Sequence, residues 1–475
     1  MLRKMNSRAD IKEREWAYLK DEHNKYPDLF SGHTFVEDPK TLARFGIVIP
    51  GQDTLPIGYL KLWPQDFIVE EIGKDGEIFI ADDEETEQQT APGESVHATL
   101  VKSNYSTIEA IKELALGLSC GEEQIHYAGI KDKDALTAQQ ISFRGIPLEA
   151  IQKFSSRHFF LKNIYQGKGA VEKGSLQGNR FTIFVRTFSP VDREVFQKRL
   201  EEISKNGFYN FYYLQRFGTP RLINYQWGMS ILKGNYRQAV LDSLTLPGER
   251  ELPYFKKLRQ KIETLGENWV ELAKLLEPFP LMCETENRLV RYLLEHPDDY
   301  AGALREIKEQ TMLWVYAVSS LFFNRLLSSF IEKRIPLPAE LPLLLSRDPH
   351  DWTLYTELLT QNNLIPLPLH NLRPFPFIQL RHRTAPTKDK VVIEKYDILN
   401  DGVALQFRLS KGSYATTFLS HLFQLASGIP PQEIKTDAHD LKQILNHGPN
   451  GALSYLAEVL QPKSRSVWGE FSLDS

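Results

Sequence analysis

His126-Tyr-Ala-Gly-Ile-Lys-Asp-Lys-Asp-Ala-Leu-Thr-Ala-Gln139 holds Asp132 between two lysines in a turn entered through Ala128-Gly129. The glycine lets the backbone bend without a Cβ clash, and Lys131 and Lys133 favour the ionised form of Asp132 by nearby positive charge. Such a turn offers a charged carboxylate and reads as a nucleophile loop. A solvated Lys-Asp turn has the same composition, so the choice between the two rests on the rest of the chain.

Composition narrows the class. With 475 residues the chain has room for about two to four domains and a sizeable core. Charged residues at 25% and hydrophobic ones at 42% argue against both a disordered chain and a fibre. Cys120 and Cys283, the only cysteines, are far apart in sequence, which argues against a disulfide scaffold or a cysteine-ligated metal and fits a reducing cytoplasm. The start, Met1-Leu-Arg-Lys-Met-Asn, leads into charged sequence and shows no secretory signal. Met312 to Phe323 is too short to span a bilayer, is broken by Ser319-Ser320, and reads as a core helix, so no membrane association is expected. Phosphate-binding glycine loops, His-Glu-x-x-His and Gly-x-Ser-x-Gly are all missing from the sequence. The expectation is therefore chemistry by side chains alone, with no cofactor and no metal.

Net charge is −4, but its distribution says more. From Gln124 to Arg186 ten basic residues (Lys131, Lys133, Arg144, Lys153, Arg157, Lys162, Lys168, Lys173, Arg180, Arg186) face four acidic ones (Asp132, Asp134, Glu149, Glu172), a balance of +6. Interleaved with Phe154, Phe159, Phe160, Tyr165 and Phe181, this segment suits phosphate contacts and base stacking. It also suits a strand pair whose long cations snorkel to solvent. The acidic run Asp82-Asp-Glu-Glu-Thr-Glu87 is expected to be a solvated loop.

Periodicity predicts a helix over about Arg8 to His23, in a charged extension of residues 1–40. A strand is predicted over Leu60 to Ile72, bent at Trp63-Pro-Gln. Period two there puts Phe67, Val69 and Glu71 on one face, so Glu71 either lies at an exposed end or serves a polar site. A helix is predicted from Thr107 to Leu118, and another from about Pro190 to Asn206 with Ser189 as cap and Gly207 beyond its end. Strands are predicted at Phe181–Phe188 and Val403–Leu409, with Lys411–Leu419 a turn opening a helix. Residues 207–380 are mainly helical in pattern, punctuated by prolines, and lie between strand-rich segments at 41–206 and 381–475. That order predicts an α+β core carrying a helical insertion.

The loop and four further segments resemble the TruD family of tRNA pseudouridine synthases. Ala128-Gly-Ile-Lys-Asp-Lys-Asp-Ala-Leu-Thr-Ala-Gln139 is similar to that family's signature. Lys61 with Asp66-Phe-Ile-Val-Glu-Glu71, Gly178-Asn-Arg-Phe181, Gln215-Arg-Phe-Gly218 and Gly412-Ser-Tyr-Ala-Thr416 follow in the family's order. The resemblance implies a pseudouridine synthase catalytic domain, a mixed and mostly antiparallel sheet with flanking helices, carrying an inserted helical TRUD domain that forms the far wall of an RNA cleft. It implies Asp132 as the catalytic aspartate, Lys61 as its basic partner, Phe181 packing on the target base, and Asn179 and Glu71 shaping the pocket. Lys131 and Gln139 fall inside the signature, and Arg216 and Lys411 are candidate phosphate contacts. The implied substrate is tRNA, most typically the uridine at position 13 of the D arm, and a monomer is favoured. The chain departs from the family pattern at Tyr213, at Thr219-Pro-Arg and at Ser420-His421.

Pseudouridylation breaks the N1–C1′ bond of uridine and rejoins the turned base through C5, so a nucleophile is needed to carry an intermediate. An ionised aspartate can attack C1′ or C6, or assist glycal formation, and the sequence leaves all three open. A catalytically silent RNA-binding protein of this fold and a protein-interaction scaffold are the rival readings.

Overall fold

The computed structural model describes residues 8–86 and 92–446, together with Leu453, Leu456 and Leu460. The chain divides into two compact units, one built from Thr34–Asp38, Gly51–Tyr209 and Lys388 onward, the other from the described residues up to His33, Pro39–Pro50 and Asn210–Thr387.

The first unit is an α+β domain. Its main sheet has eleven strands: β1 (Thr34–Val36), β2 (Ile57–Tyr59), β3 (Phe67–Gly73), β4 (Ser95–Ser103), β5 (Ile125–Tyr127), β6 (Leu136–Arg144), β7 (Phe159–Gly167), β8 (Leu176–Thr187), β9 (Val391–Leu399), β10 (Gly402–Ser410) and β11 (Gln424–Gly428). The order is β1-β11-β2-β8-β3-β6-β4-β7, with β5 on β6, and β9 on β10, which pairs with β8. Pairing is antiparallel except at β11–β2 and β3–β6. Alternation in β10 is clean in sequence, yet Gly402 to Phe407 are all buried: β8 and β9 cover its edges, Ala404 packs with Ile68, Leu136 and Phe184, and Phe407, of opposite parity, packs with Phe181 and Phe418.

Two boundaries differ from the sequence reading. Residues Leu60 to Trp63 lie outside the strand, and Pro64–Asp66 form a short 3-10 turn before β3. The Asp66 carboxylate accepts from Trp63 N–H at 3.1 Å and bends the chain there. The helix expected from Pro190 runs Arg193–Asn206, because the Asp192 side chain, rather than Ser189, accepts from Val195 N–H and caps it. Helix Thr107–Gly117 is capped by Ser106, with Glu109 closing a reciprocal capping box. Its Ile111 and Leu114 pack with Val96, Leu100, Ile141, Phe143 and Phe159 into one core cluster.

The second unit is helical and centres on Lys308–Glu332, a 25-residue helix buried along much of its length. Gly228 of helix Asn224–Leu232 lets that helix approach closely, since a Cβ there would sit 2.0 Å from the Trp314 carbonyl oxygen. Residues read as a separate extension also belong here. In helix Arg8–Lys25 the Glu15 carboxylate accepts from Leu281 and Met282 N–H at 3.1 and 2.9 Å, and Tyr18 meets the Phe279 ring edge-on. No described helix is long and apolar enough to cross a membrane.

Candidate active site

Asp132 sits on the turn between β5 and β6, and its surroundings are fixed from the interior outward. Gln139, fully buried in β6, donates from Nε2 to the Gly129 carbonyl at 2.9 Å. Thr107, also buried, donates to Gln139 Oε1 at 2.9 Å and accepts from Lys131 N–H at 3.0 Å. The two residues flanking Ile130 are thereby tied to the domain core. From the other side, Gly174 N–H donates to the Ala128 carbonyl at 2.7 Å, and Lys411 Nζ donates to the Gly174 carbonyl at 2.6 Å. Lys411 is exposed and buttresses the entry to the turn.

The loop's two central side chains go opposite ways. Lys131 is buried and its Nζ lies 2.6 Å from Glu71 Oε2, while Glu71 Oε1 accepts from Gln140 N–H at 3.2 Å. Glu71 therefore sits inside the domain and not at an exposed strand end; burial pushes its carboxyl up from the ordinary value, with the Lys131 charge pulling against that shift. Asp132 points outward with half of its side chain exposed, and Lys61 Nζ stands 3.6 Å from its Oδ2. Lys61 has φ of +61°, a left-handed backbone that costs a lysine free energy, and its ammonium lies 4.1 Å from the Phe67 ring centroid. Beneath the loop, Lys102 Nζ donates to the backbone carbonyl of Asp132 at 2.8 Å. Sequence reasoning passed over Lys102; its one signal was a lysine in the otherwise uncharged run of β4, Ser95–Ser103.

Strand register brings the next candidates alongside. Glu71 pairs with Asn179 and Val69 with Phe181 across β3 and β8. Gly178 is required there, since a Cβ would lie 2.1 Å from the Leu409 carbonyl oxygen. Phe181 is only 6% exposed, stacked on Phe407 at 5.3 Å and edge-on to Phe67 at 6.1 Å, so most of its ring is already covered. Arg216 belongs to the helical unit, where its guanidinium lies over the Tyr212 ring.

The +6 segment is not a continuous surface charge. Lys131, Lys162, Arg180 and Arg186 are buried and paired with Glu71, Asp82, Glu70 and Asp66. Asp82 is itself buried rather than solvated, beside β7, where Lys162 also donates to the Glu84 carbonyl at 3.1 Å, while Asp83, Glu84, Glu85 and Thr86 are exposed, as expected of a solvated loop. Glu87 lies outside the described residues. Phe159 is core, and Tyr165 stacks on His97 at 5.3 Å. Lys153, Arg157, Lys168 and Lys173 are exposed. At the departure Ser420-His421, the imidazole is buried; its Nδ1 lies 2.8 Å from the Thr417 carbonyl oxygen and its Nε2 accepts from Tyr209 N–H at 3.1 Å.

The profile of the family described as tRNA pseudouridine synthase D (TruD) matches residues 52–342. Among curated relatives, a protein named "probable tRNA pseudouridine synthase D" from Archaeoglobus fulgidus is 32% identical over 277 residues, 58% of this chain and 63% of that one. One of the same name from Methanosarcina mazei is 30% identical over 308 residues, 64% of this chain and 67% of its own length. The chain thus spans about two thirds of the curated relatives it matches, 63% in the first case. A crystal structure attributed to tRNA pseudouridine synthase D of M. mazei superposes with a TM-score of 0.61 at 23% identity, covering 82% of this chain and 98% of that one, a likeness of fold.

Proposed function

The chain belongs to the tRNA pseudouridine synthase D family, and from that premise we propose that it isomerises uridine to pseudouridine in tRNA, at position 13 of the D arm, with Asp132 as nucleophile. The N1–C1′ bond breaks, the base turns, and a C5–C1′ bond forms. C5 loses a proton and N1 gains one, so atoms and electrons balance as an isomerisation. The reading is supported above all by one observation: a half-exposed carboxylate on a loop anchored from inside the domain, with a cation 3.6 Å away.

Lys61 is the counter-charge that keeps Asp132 ionised once a substrate excludes water. Whether the carboxylate attacks C1′ or C6 or assists glycal formation, it must be charged to begin and must give up its bond to end. Removal of the C5 proton then falls to Asp132 itself or to a water beside it. Glu71 and Asn179 shape the pocket wall, and Phe181 meets the base with the small part of its ring left open. Because the base must leave its stack, the RNA has to be gripped. Lys153, Arg157, Lys168 and Lys173 of the sheet unit and Arg216 of the helical unit are the proposed contacts.

The test is incubation of the full-length chain with unmodified tRNA transcripts, followed by mapping of pseudouridine at nucleotide resolution. Product at position 13 is expected. Product at another uridine would keep the reaction and replace the site, and no product on any transcript would contradict the reaction.

A further inference from the structure

Lys102 is fully buried on β4, and its position is unusual for a lysine. Among the described residues it forms no salt bridge of its own, and the hydrogen bond of its ammonium goes to the main-chain carbonyl of Asp132, at 2.8 Å. A buried cation without a bonded carboxylate opposes folding. The charged groups facing it are Asp132 and Glu109, which favour the ammonium, and Lys131 and Lys61, which oppose it. Burial outweighs them all and pushes Lys102 down to about 7. A methionine or leucine would fill a similar volume without burying a charge, at the loss of one hydrogen bond to the Asp132 carbonyl, so folding alone gives little reason for a lysine here.

We propose that Lys102 is a positioning residue for the reaction: its Nζ fixes the Asp132 main chain from beneath and sets a positive charge under a carboxylate that must be charged, spent and recovered within one turnover. This rests on the pseudouridine synthase reading, and it adds a second cation, one that never meets solvent or substrate, to the Asp132–Lys61 pair. It follows that the supporting charge is present below about pH 7 and fades above it. Turnover should therefore carry a limb that falls as pH rises past neutrality.

The experiment compares wild type with Lys102→Met and Lys102→Arg in the full-length chain. Three readouts are taken: hydrogen exchange of the amides from 128 to 135, the thermal midpoint at pH 6.5, and the single-turnover rate of pseudouridine formation from about pH 6 to 9. For Lys102→Met the expected results are exchange in the loop about ten-fold faster, a midpoint unchanged or raised, and a rate lower by about 10- to 100-fold without the alkaline limb. In Lys102→Arg, which stays charged, recovery of rate with no alkaline limb is expected. Unchanged exchange and rate in Lys102→Met overturns the proposal. So does a collapse of its midpoint, which would make Lys102 a structural cation, as would a wild-type rate that is flat across pH 7. Should the wild type itself form no pseudouridine, the activity reading fails, while loop exchange in Lys102→Met still decides whether Lys102 positions Asp132.

Discussion

Segment 66–71 and the Asp132 turn each present carboxylates to lysine or arginine, and they treat them in opposite ways. Asp66 is held by both nitrogens of a fork from Arg186, at 2.9 and 3.0 Å, and by Trp63 N–H. Glu70 takes Arg180 at 2.7 Å, Lys442 at 3.3 Å and Ala81 N–H at 2.9 Å. Burial works against its ionised form, and the charges of Lys442 and Arg180 overcome that and hold the carboxyl below its ordinary value. These acids have their lone pairs occupied and no access to a substrate. Asp132 is the reverse case: its backbone is tied down, its carboxylate is half exposed, and the Lys61 ammonium paired with it stands at 3.6 Å, outside tight hydrogen-bond range. Buried carboxylates fully engaged by donors hold the sheet together, whereas a nucleophile needs a rigid backbone and a free carboxylate.

That contrast can be broken at each side. The largest effect is expected for Glu70→Gln, which removes the carboxylate charge that Arg180 and Lys442 share in the interior; a loss of about 3–5 kcal/mol is expected by chemical denaturation. Retained stability would mean that these interior pairs are dispensable. His421 is another fully engaged interior group. Burial pushes its imidazole down to about 4 from 6.5, so the unfolded chain takes up the proton first. Stability contributed by the neutral ring is then complete above about pH 6.5 and is lost as pH falls towards 4, by about 3 kcal/mol. His421→Asn should flatten that acid slope, and an identical slope in the variant would assign it to other groups.

On the reactive side, Lys61→Met is expected to lower turnover about 100-fold, with tRNA affinity within about two-fold of wild type. Parallel loss of binding would place Lys61 on the RNA surface. The smallest effects belong to exposed cations. Lys168→Ala and Lys173→Ala should each weaken tRNA binding only a few-fold and reduce its dependence on salt by about one ion. Salt dependence unaffected by either change would remove that face from the RNA contact.

Much of the fold was legible from periodicity: the helix at Thr107–Gly117, which buries one face, and strand β10, which is covered on both, lie close to their predicted ranges. Boundaries failed where a side chain capped the chain, as Asp192 does for the helix that follows it. Charge was misread for a different reason. In sequence Lys162, Arg180 and Arg186 are surface-like letters, and only the folded chain reveals their partners: β3 and β8 set Glu70 beside Arg180, while Asp82 and Asp66, outside the strands, meet Lys162 and Arg186. Asp132 was singled out from its own loop, but its pairing with Lys61 came through motif resemblance, since nothing local shows that a residue before β3 meets a turn before β6. Lys102 escaped notice because a lone lysine in an otherwise uncharged strand carries no pattern, and its meaning lies in the one carbonyl it reaches.

The central claim is that Asp132 is the reacting carboxylate, and Asp134, two residues on in the same loop, supplies the matched control. Asp132→Asn and Asp134→Asn should be assayed together for pseudouridine formation and for tRNA affinity. The nearly isosteric amide at position 132 cannot act as a nucleophile, so the account predicts a rate down by at least about 1,000-fold with affinity nearly intact. Asp134→Asn should keep substantial activity. An active Asp132→Asn beside a dead Asp134→Asn would contradict the assignment.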